Sequence, residues 1–346
     1  MTGVTAPSAA FASDNSAPTH PKVLEALVSA NAGALASYGG DAFTERAAQA
    51  LRDAFKSPDA EVLFAFSGTA ANIIALTAGT RPWHEILCSD VAHALLDEAG
   101  GPVRLSGAQL TRLPSTDGLI DPAELDRRII RRGDVHHSQP SIVTITQSTE
   151  NGRVWNASAI KDFIDHAHKL GLLVHVDGSR IANAIAAQSI TPSDAISEAD
   201  IVTVGGTKNG MMFGDAILVR HPERFDGIRF VQKQIGHLAS KHRYVGAQFE
   251  ALLTDGLWLD LAAHANAMAA RLSTGITALG LRLAAPTEAN EIFVKLTDDQ
   301  YTRLSADYAV HKPDPLRPAV RLVCSWATTT DEVEAVLRAL SGIQSG

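Results

Sequence analysis

The 346-residue chain has only two cysteines, few aromatic residues (5%) and no excess of positive charge. Cys88 and Cys324 lie far apart in sequence, each at the end of an apolar run. That excludes a disulfide framework and a cysteine zinc site, so no metal is expected, and it suits buried free thiols in a reducing compartment. A formal net charge of -8 argues against a protein that tracks nucleic-acid backbones, while leaving room for a local basic pocket around one phosphate. No apolar stretch is long enough to cross a bilayer, and the N-terminus lacks a basic segment followed by an apolar core. The expected location is therefore the cytoplasm, with neither membrane nor nucleic acid as partner. Repeats and low-complexity runs are also missing.

What is present is the composition of an ordinary globular protein, 45% hydrophobic and 20% charged, in a chain too long for one average domain. Residues 1–20 read as an N-terminal arm, the first dozen small and polar enough to be flexible. Helices are expected from about Pro21, capped by Thr19, and from Thr44 to about Phe55, with the loop carrying Tyr38 between them. From Glu61 onward the pattern alternates. Short apolar strands at Glu61–Phe66, Ile86–Asp90, Ser141–Thr146, Leu172–Asp177, Ile201–Val204 and Asp215–Val219 are separated by helical segments. Such alternation predicts an α/β large domain over residues 21–250, with a mostly parallel central sheet flanked by helices. From 251 to 346, a long alanine-rich connecting helix leads into three short strands and two helices, a small C-terminal α+β domain.

Chemistry is concentrated at the strand ends. Ser67-Gly68-Thr69 turns directly from strand into helix, so Gly68, Thr69 and the free N–H groups of the first helical turn would form an anion cradle. It is neither a Walker motif nor a GxGxxG fingerprint, and it fits one phosphate better than a dinucleotide. Asp177 closes one strand, and Lys208 follows the next in Gly205-Gly206-Thr207-Lys208. An acid and an amine at neighbouring strand ends are what a pyridoxal phosphate enzyme needs: Lys208 to carry the cofactor as a Schiff base, Asp177 to keep the ring nitrogen protonated. Taken singly, a strand-end Asp is often a turn or cap residue and a Lys is usually solvated.

Taken together, the order and spacing of these motifs resemble the low-specificity L-threonine aldolases, members of the fold-type I, aspartate aminotransferase-like group of pyridoxal phosphate enzymes. The likeness runs from Phe11–Asn15 through Tyr38–Asp41, Phe66–Asn72, Thr144–Gln147, His175–Arg180 and Gly205–Gly210 to Arg321–Trp326. The resemblance implies pyridoxal 5'-phosphate as cofactor, with Gly68 and Thr69 on its phosphate, Asp177 on its ring nitrogen and Arg180 near its phenolic oxygen. His93 would stack on the ring, and either His93 or His136 would act as base at the substrate hydroxyl. Ser13 and Arg321 would clamp the substrate carboxylate. Tyr38, Lys233 and Arg243 would reach a site across a subunit boundary, which implies a homo-oligomer, a dimer or a dimer of dimers. The implied reaction is retro-aldol cleavage of L-threonine, L-allo-threonine or phenylserine to glycine and an aldehyde, and its reverse. The alternative is another fold-type I enzyme such as a β-eliminating amino-acid lyase.

Overall fold

The structure, a computed structural model, describes residues 6–313, 315 and 318–344. Strands β1 (Glu61–Ala65), β2 (His84–Ser89) and β3 (Gln109–Leu113) are followed by a small hairpin, β4 (Ser115–Thr116) and β5 (Leu119–Ile120). Next come β6 (Gln139–Thr146), β7 (Leu173–Gly178), β8 (Ile201–Gly205) and β9 (Asp215–Val219). Apart from the hairpin, these form one seven-stranded sheet in the order β1-β9-β8-β7-β6-β2-β3. Strands β8, β7, β6, β2 and β3 run parallel, and β9 alone is antiparallel to both its neighbours, β8 and β1. The expected mostly parallel sheet is thus the one observed. Its two faces are buried in separate apolar clusters, Phe64, Val143, Val176 and Val202 on one side and Leu63, Ile142, Ile201 and Ile217 on the other. Covering both faces is the usual arrangement of a parallel sheet.

Local chemistry sets the boundaries. The helix Gly68–Ala78 starts where the Ser67 hydroxyl accepts the Ala70 N–H, and the helix Ala157–Lys169 where Asn156 accepts that of Ala159. The first helix, Pro21–Ala30, is capped by His20 instead of the expected Thr19, and the second, Ala42–Ala54, starts before the expected Thr44 and is capped by Asp41. Strand β3 and the helix Gly101–Ser106 were not legible from periodicity. In the helix Pro122–Arg128, Arg128 turns inward to the buried carboxylate of Glu85.

The helix Leu257–Ala278 leads to a three-stranded antiparallel sheet of β10 (Arg282–Leu283), β11 (Glu291–Lys295) and β12 (Val320–Val323), packed under helices Asp298–Asp307 and Thr330–Gln344. This sheet has its own core, and Phe11 lies in it, fully buried. Ser8 bridges to Tyr308, and the Phe11 carbonyl accepts the Val323 N–H at 3.0 Å. From Ser8 onward the N-terminal segment is therefore packed, and the flexible arm expected there is corrected by the burial of one aromatic ring. Among the described residues, no helix is long and apolar enough to cross a membrane.

Helices Ala42–Ala54 and Arg243–Leu253 pack closely at Gly246, where an added Cβ would lie 2.6 Å from the Thr44 backbone nitrogen. Gly246→Ala should therefore destabilise the fold by about 1–3 kcal/mol through overpacking. The check is a lower denaturant midpoint with an unchanged slope. Gly342→Ala, whose Cβ would meet open space, is the control and should not lower it.

Candidate active site

The parallel strands direct their C-terminal ends to one edge of the sheet, where ligands bind in such folds. Asp177 and Lys208 follow from this: Asp177 ends β7 in register with Thr146 of β6 and Thr203 of β8, and Lys208 lies in the 3-10 turn Thr207–Asn209 just after β8. That turn is pinned on three sides. Gly206 N–H donates to Asp215 Oδ1 at 3.0 Å, Thr207 exchanges hydrogen bonds with Gly214, and Asn209 donates to the Trp258 carbonyl at 2.8 Å. Gly210 closes it at φ +99°, which only glycine adopts freely.

A cavity of about 360 Å³ opens above the turn, lined by Ser13, Asn15, His93, Glu150, Arg180, Lys208, Glu291 and Arg321, among others. Five residues expected at the site, Ser13, His93, Arg180, Lys208 and Arg321, thus share one wall-to-wall space. Asp177 sits behind it, 4% exposed. Gly68 and Thr69 open their helix beside it. A Cβ on Gly68 would come within 3.2 Å of Ser179 Oγ and 3.8 Å of Asp215 Oδ2, so only a glycine leaves this cradle open.

The charges are balanced in pairs. Lys208 is buried, and its pKa is lowered first by desolvation and then by Arg180, with Asp14, Asp177 and Glu291 opposing. A lowered amine pKa is what a nucleophilic lysine requires. Asp177 faces a desolvation cost that would raise its pKa, yet the net direction is down. His175 is held neutral, its pKa pushed to about 4 by burial, with its ring nitrogens 2.9 Å from Thr144 Oγ1 and 3.1 Å from Thr203 Oγ1. Lys208 and the Asn72 amide, which donates to Asp177 at 2.7 Å, therefore keep the acid ionised. Arg180 makes a bidentate pair with buried Asp14 at 2.7 and 3.0 Å and lies 3.4 Å from Glu291. Glu291 in turn lies 3.4 Å from Arg321.

Five carboxyl or amide groups were missed as site residues: Asp14, Asn72, Glu98, Glu150 and Glu291. Asp14 and Asn72 lie inside the motifs noted above and Glu150 just beyond one, but nothing in the sequence marks which polar side chain is buried. Asn72 also donates to Glu98 at 2.9 Å, and Glu98 accepts or shares a proton with His93 Nδ1 at 2.9 Å. That hydrogen bond is the main reason the His93 pKa is raised. Glu150 Oε1 accepts the His93 backbone N–H at 2.8 Å and the Thr146 hydroxyl at 2.7 Å.

His136 does not line this cavity. It is exposed in the turn before β6, its N–H bonded to Asp134, at the opposite end of that strand from Thr146 and Asp177. A strand of eight residues, at roughly 3.3 Å per residue, separates it from the cavity of its own chain. Tyr38, Lys233 and Arg243 are also outside the cavity. Lys233 Nζ lies 4.8 Å from the centroid of the half-exposed Tyr38 ring, Tyr38 N–H donates to the Ser240 carbonyl, and Arg243 donates to the Gly33 carbonyl.

Fold, buried lysine, ionised strand-end aspartate and open glycine cradle together define a fold-type I pyridoxal phosphate-dependent enzyme. The chain belongs to the beta-eliminating lyase family, whose model matches residues 10–299, and within it groups with the low specificity L-threonine aldolases. It is 37% identical to the low specificity L-threonine aldolase of a Pseudomonas species, over 97% of this chain and 98% of that one. A Leishmania major threonine aldolase structure superposes with a TM-score of 0.91 at 30% identity, covering 98% of this chain and 99% of that one. A Thermus thermophilus aspartate aminotransferase shares the fold, with a TM-score of 0.75 at 16% identity, covering 98% of this chain and 92% of that one.

Burial raises the Glu150 pKa from 4.5 to about 7. Its ionisation therefore costs stability: the cost is absent below its ordinary pKa, grows as pH rises from there to about 7, and is constant above. Glu150→Gln removes that titration. In denaturation of the cofactor-free protein, the variant should exceed the wild type by about 3 kcal/mol near pH 8 and match it near pH 4. A difference that does not change with pH would contradict the assigned burial.

Proposed function

We propose that this chain cleaves L-threonine, L-allo-threonine and related β-hydroxy-α-amino acids such as phenylserine to glycine and an aldehyde, and runs the reverse addition. The observation carrying this reading is that residues able to hold pyridoxal phosphate and a carboxylate clamp share one cavity, in a chain related over nearly its whole length to threonine aldolases.

Lys208 would hold the cofactor's aldehyde carbon, and burial lowers the pKa of its amine in the direction a nucleophile needs. Gly68, Thr69 and the N-terminus of their helix would take the phosphate. Asp177, kept ionised without water, would hold a proton on the ring nitrogen. Arg180, fixed by Asp14 through Nε and Nη2 and with Nη1 3.4 Å from Glu291, would stand near the phenolic oxygen. When bound, the cofactor supplies an electron sink for the pair released as the Cα–Cβ bond breaks. Arg321 and Ser13 would fix the substrate carboxylate, which orients Cα–Cβ perpendicular to the ring. Glu291, already against Arg321, limits how far that guanidinium can swing. His93, held at both its backbone N–H and Nδ1, would lie over the ring with only Nε2 left to meet substrate.

Tyr38 and Lys233 form an exposed pair and Arg243 is half-buried at the start of the helix Arg243–Leu253, and in this reading the three complete the site of a second copy in a dimer or homotetramer. The two buried free cysteines, with pKa values pushed by burial to about 12, accord with a reducing cytoplasm.

The family model is named for β-elimination, so the products decide between the two reactions. Purified, cofactor-loaded protein given L-threonine or L-allo-threonine should yield glycine and acetaldehyde in equal amounts, with no pyruvate and ammonia. Lys208→Ala should lose both the activity and the absorbance band near the visible edge. Pyruvate as the main product would transfer the assignment to an eliminating lyase.

A further inference from the structure

Cleavage needs a group that removes the proton of the substrate's β-hydroxyl. With the carboxylate taken by Ser13 and Arg321 and the amine next to Lys208, the other ionisable groups lining the cavity are His93, Asp97, Glu150, Arg180, Glu291, His311 and Lys312. Arg180 is committed to Asp14, Glu291 lies between Arg180 and Arg321, and Glu150 is joined to the residue proposed to lie over the ring, its Oε1 accepting the His93 N–H.

His93 is placed over the ring, its Nδ1 tied to the buried carboxyl of Glu98, a bond that raises its pKa. Glu150 is free of that role. Its Oε1 is fixed by the His93 N–H and the Thr146 hydroxyl, which leaves Oε2 for the cavity it lines. Burial places its pKa near 7, where a carboxyl both takes and returns a proton at neutral pH.

From this geometry we infer that Glu150 is the general base that accepts the β-hydroxyl proton in the retro-aldol step; the inference rests on the function proposed above. The O–H proton moves to the Glu150 carboxylate, and the O–H electron pair becomes the second C–O bond of the departing aldehyde. The Cα–Cβ bond breaks with its pair going to Cα, and a proton taken up there completes glycine. Glu150 then returns its proton to water, so one proton leaves oxygen and one is gained at carbon. In the addition direction the same carboxyl, protonated, donates to the forming alkoxide.

The test uses a reaction at the same site that needs no β-hydroxyl: exchange of the glycine α-proton with deuterated water, followed by NMR in the cofactor-loaded enzyme. Glu150→Gln should lower aldehyde release from L-allo-threonine by about a hundredfold or more. Glycine exchange should stay within a few-fold of wild type, with the cofactor absorbance retained. Glu150→Asp, which keeps a carboxylate on a shorter arm, should recover part of the cleavage. Equal losses in cleavage and exchange, or a Glu150→Gln protein that no longer holds the cofactor, would make Glu150 a structural residue and overturn the inference. Undiminished cleavage in Glu150→Gln would overturn it as well, while leaving the proposed function standing. A wild-type enzyme that exchanges glycine protons but releases no aldehyde would instead bring down the proposed function and this inference with it.

Discussion

Removing charged groups from water is the constraint that shapes this structure. An amine, two guanidinium groups and several carboxyls are gathered around one small cavity, and an unpaired ion there would cost several kcal/mol. The solution is pairing by geometry: Arg180 with Asp14, Glu291 between Arg180 and Arg321, and Glu98 against His93. Lys208 is the exception. No hydrogen bond or ion pair among the described residues fixes its amine, and its pKa falls accordingly. The same desolvation that makes the pairs necessary makes the lysine nucleophilic.

Asn72 joins the two halves of this arrangement. Its amide donates to Asp177, under the ring-nitrogen position, and to Glu98, behind His93. Its carbonyl oxygen accepts from Thr203, which continues through His175 to Thr144. A neutral side chain thus bridges two acids that would otherwise repel each other, and it does so from the first turns of the helix that opens with Gly68. Phosphate cradle, ring acid and imidazole are positioned by a single helix.

Much of this was legible from sequence. Lys208, Asp177 and Gly68 could be named because their motifs fall at strand ends, whereas Ser13 and Arg321 came only with the family resemblance. What was not legible was burial of charge and strand direction. His136 and Glu150 flank the same strand β6, but in a parallel sheet only the C-terminal end meets the ligand edge of its own chain, so the acid lines the cavity and the histidine does not. The capping of the first two helices and the inward turn of Arg128 were missed for a related reason. Each depends on a partner distant in sequence or on a competing side chain one residue away.

The short N-terminal segment carries a further consequence. Phe11 fills the core beside the three-stranded sheet and its carbonyl accepts a hydrogen bond from Val323, Asp14 braces Arg180 after β7, and Ser13 faces the cavity. Phe11 is thus placed late, since strand β12 must exist before it has anything to join. A nascent chain can shape the large sheet as it emerges, but the cleft stays unfinished until β12 has been made, when two segments far apart in the chain are joined across it.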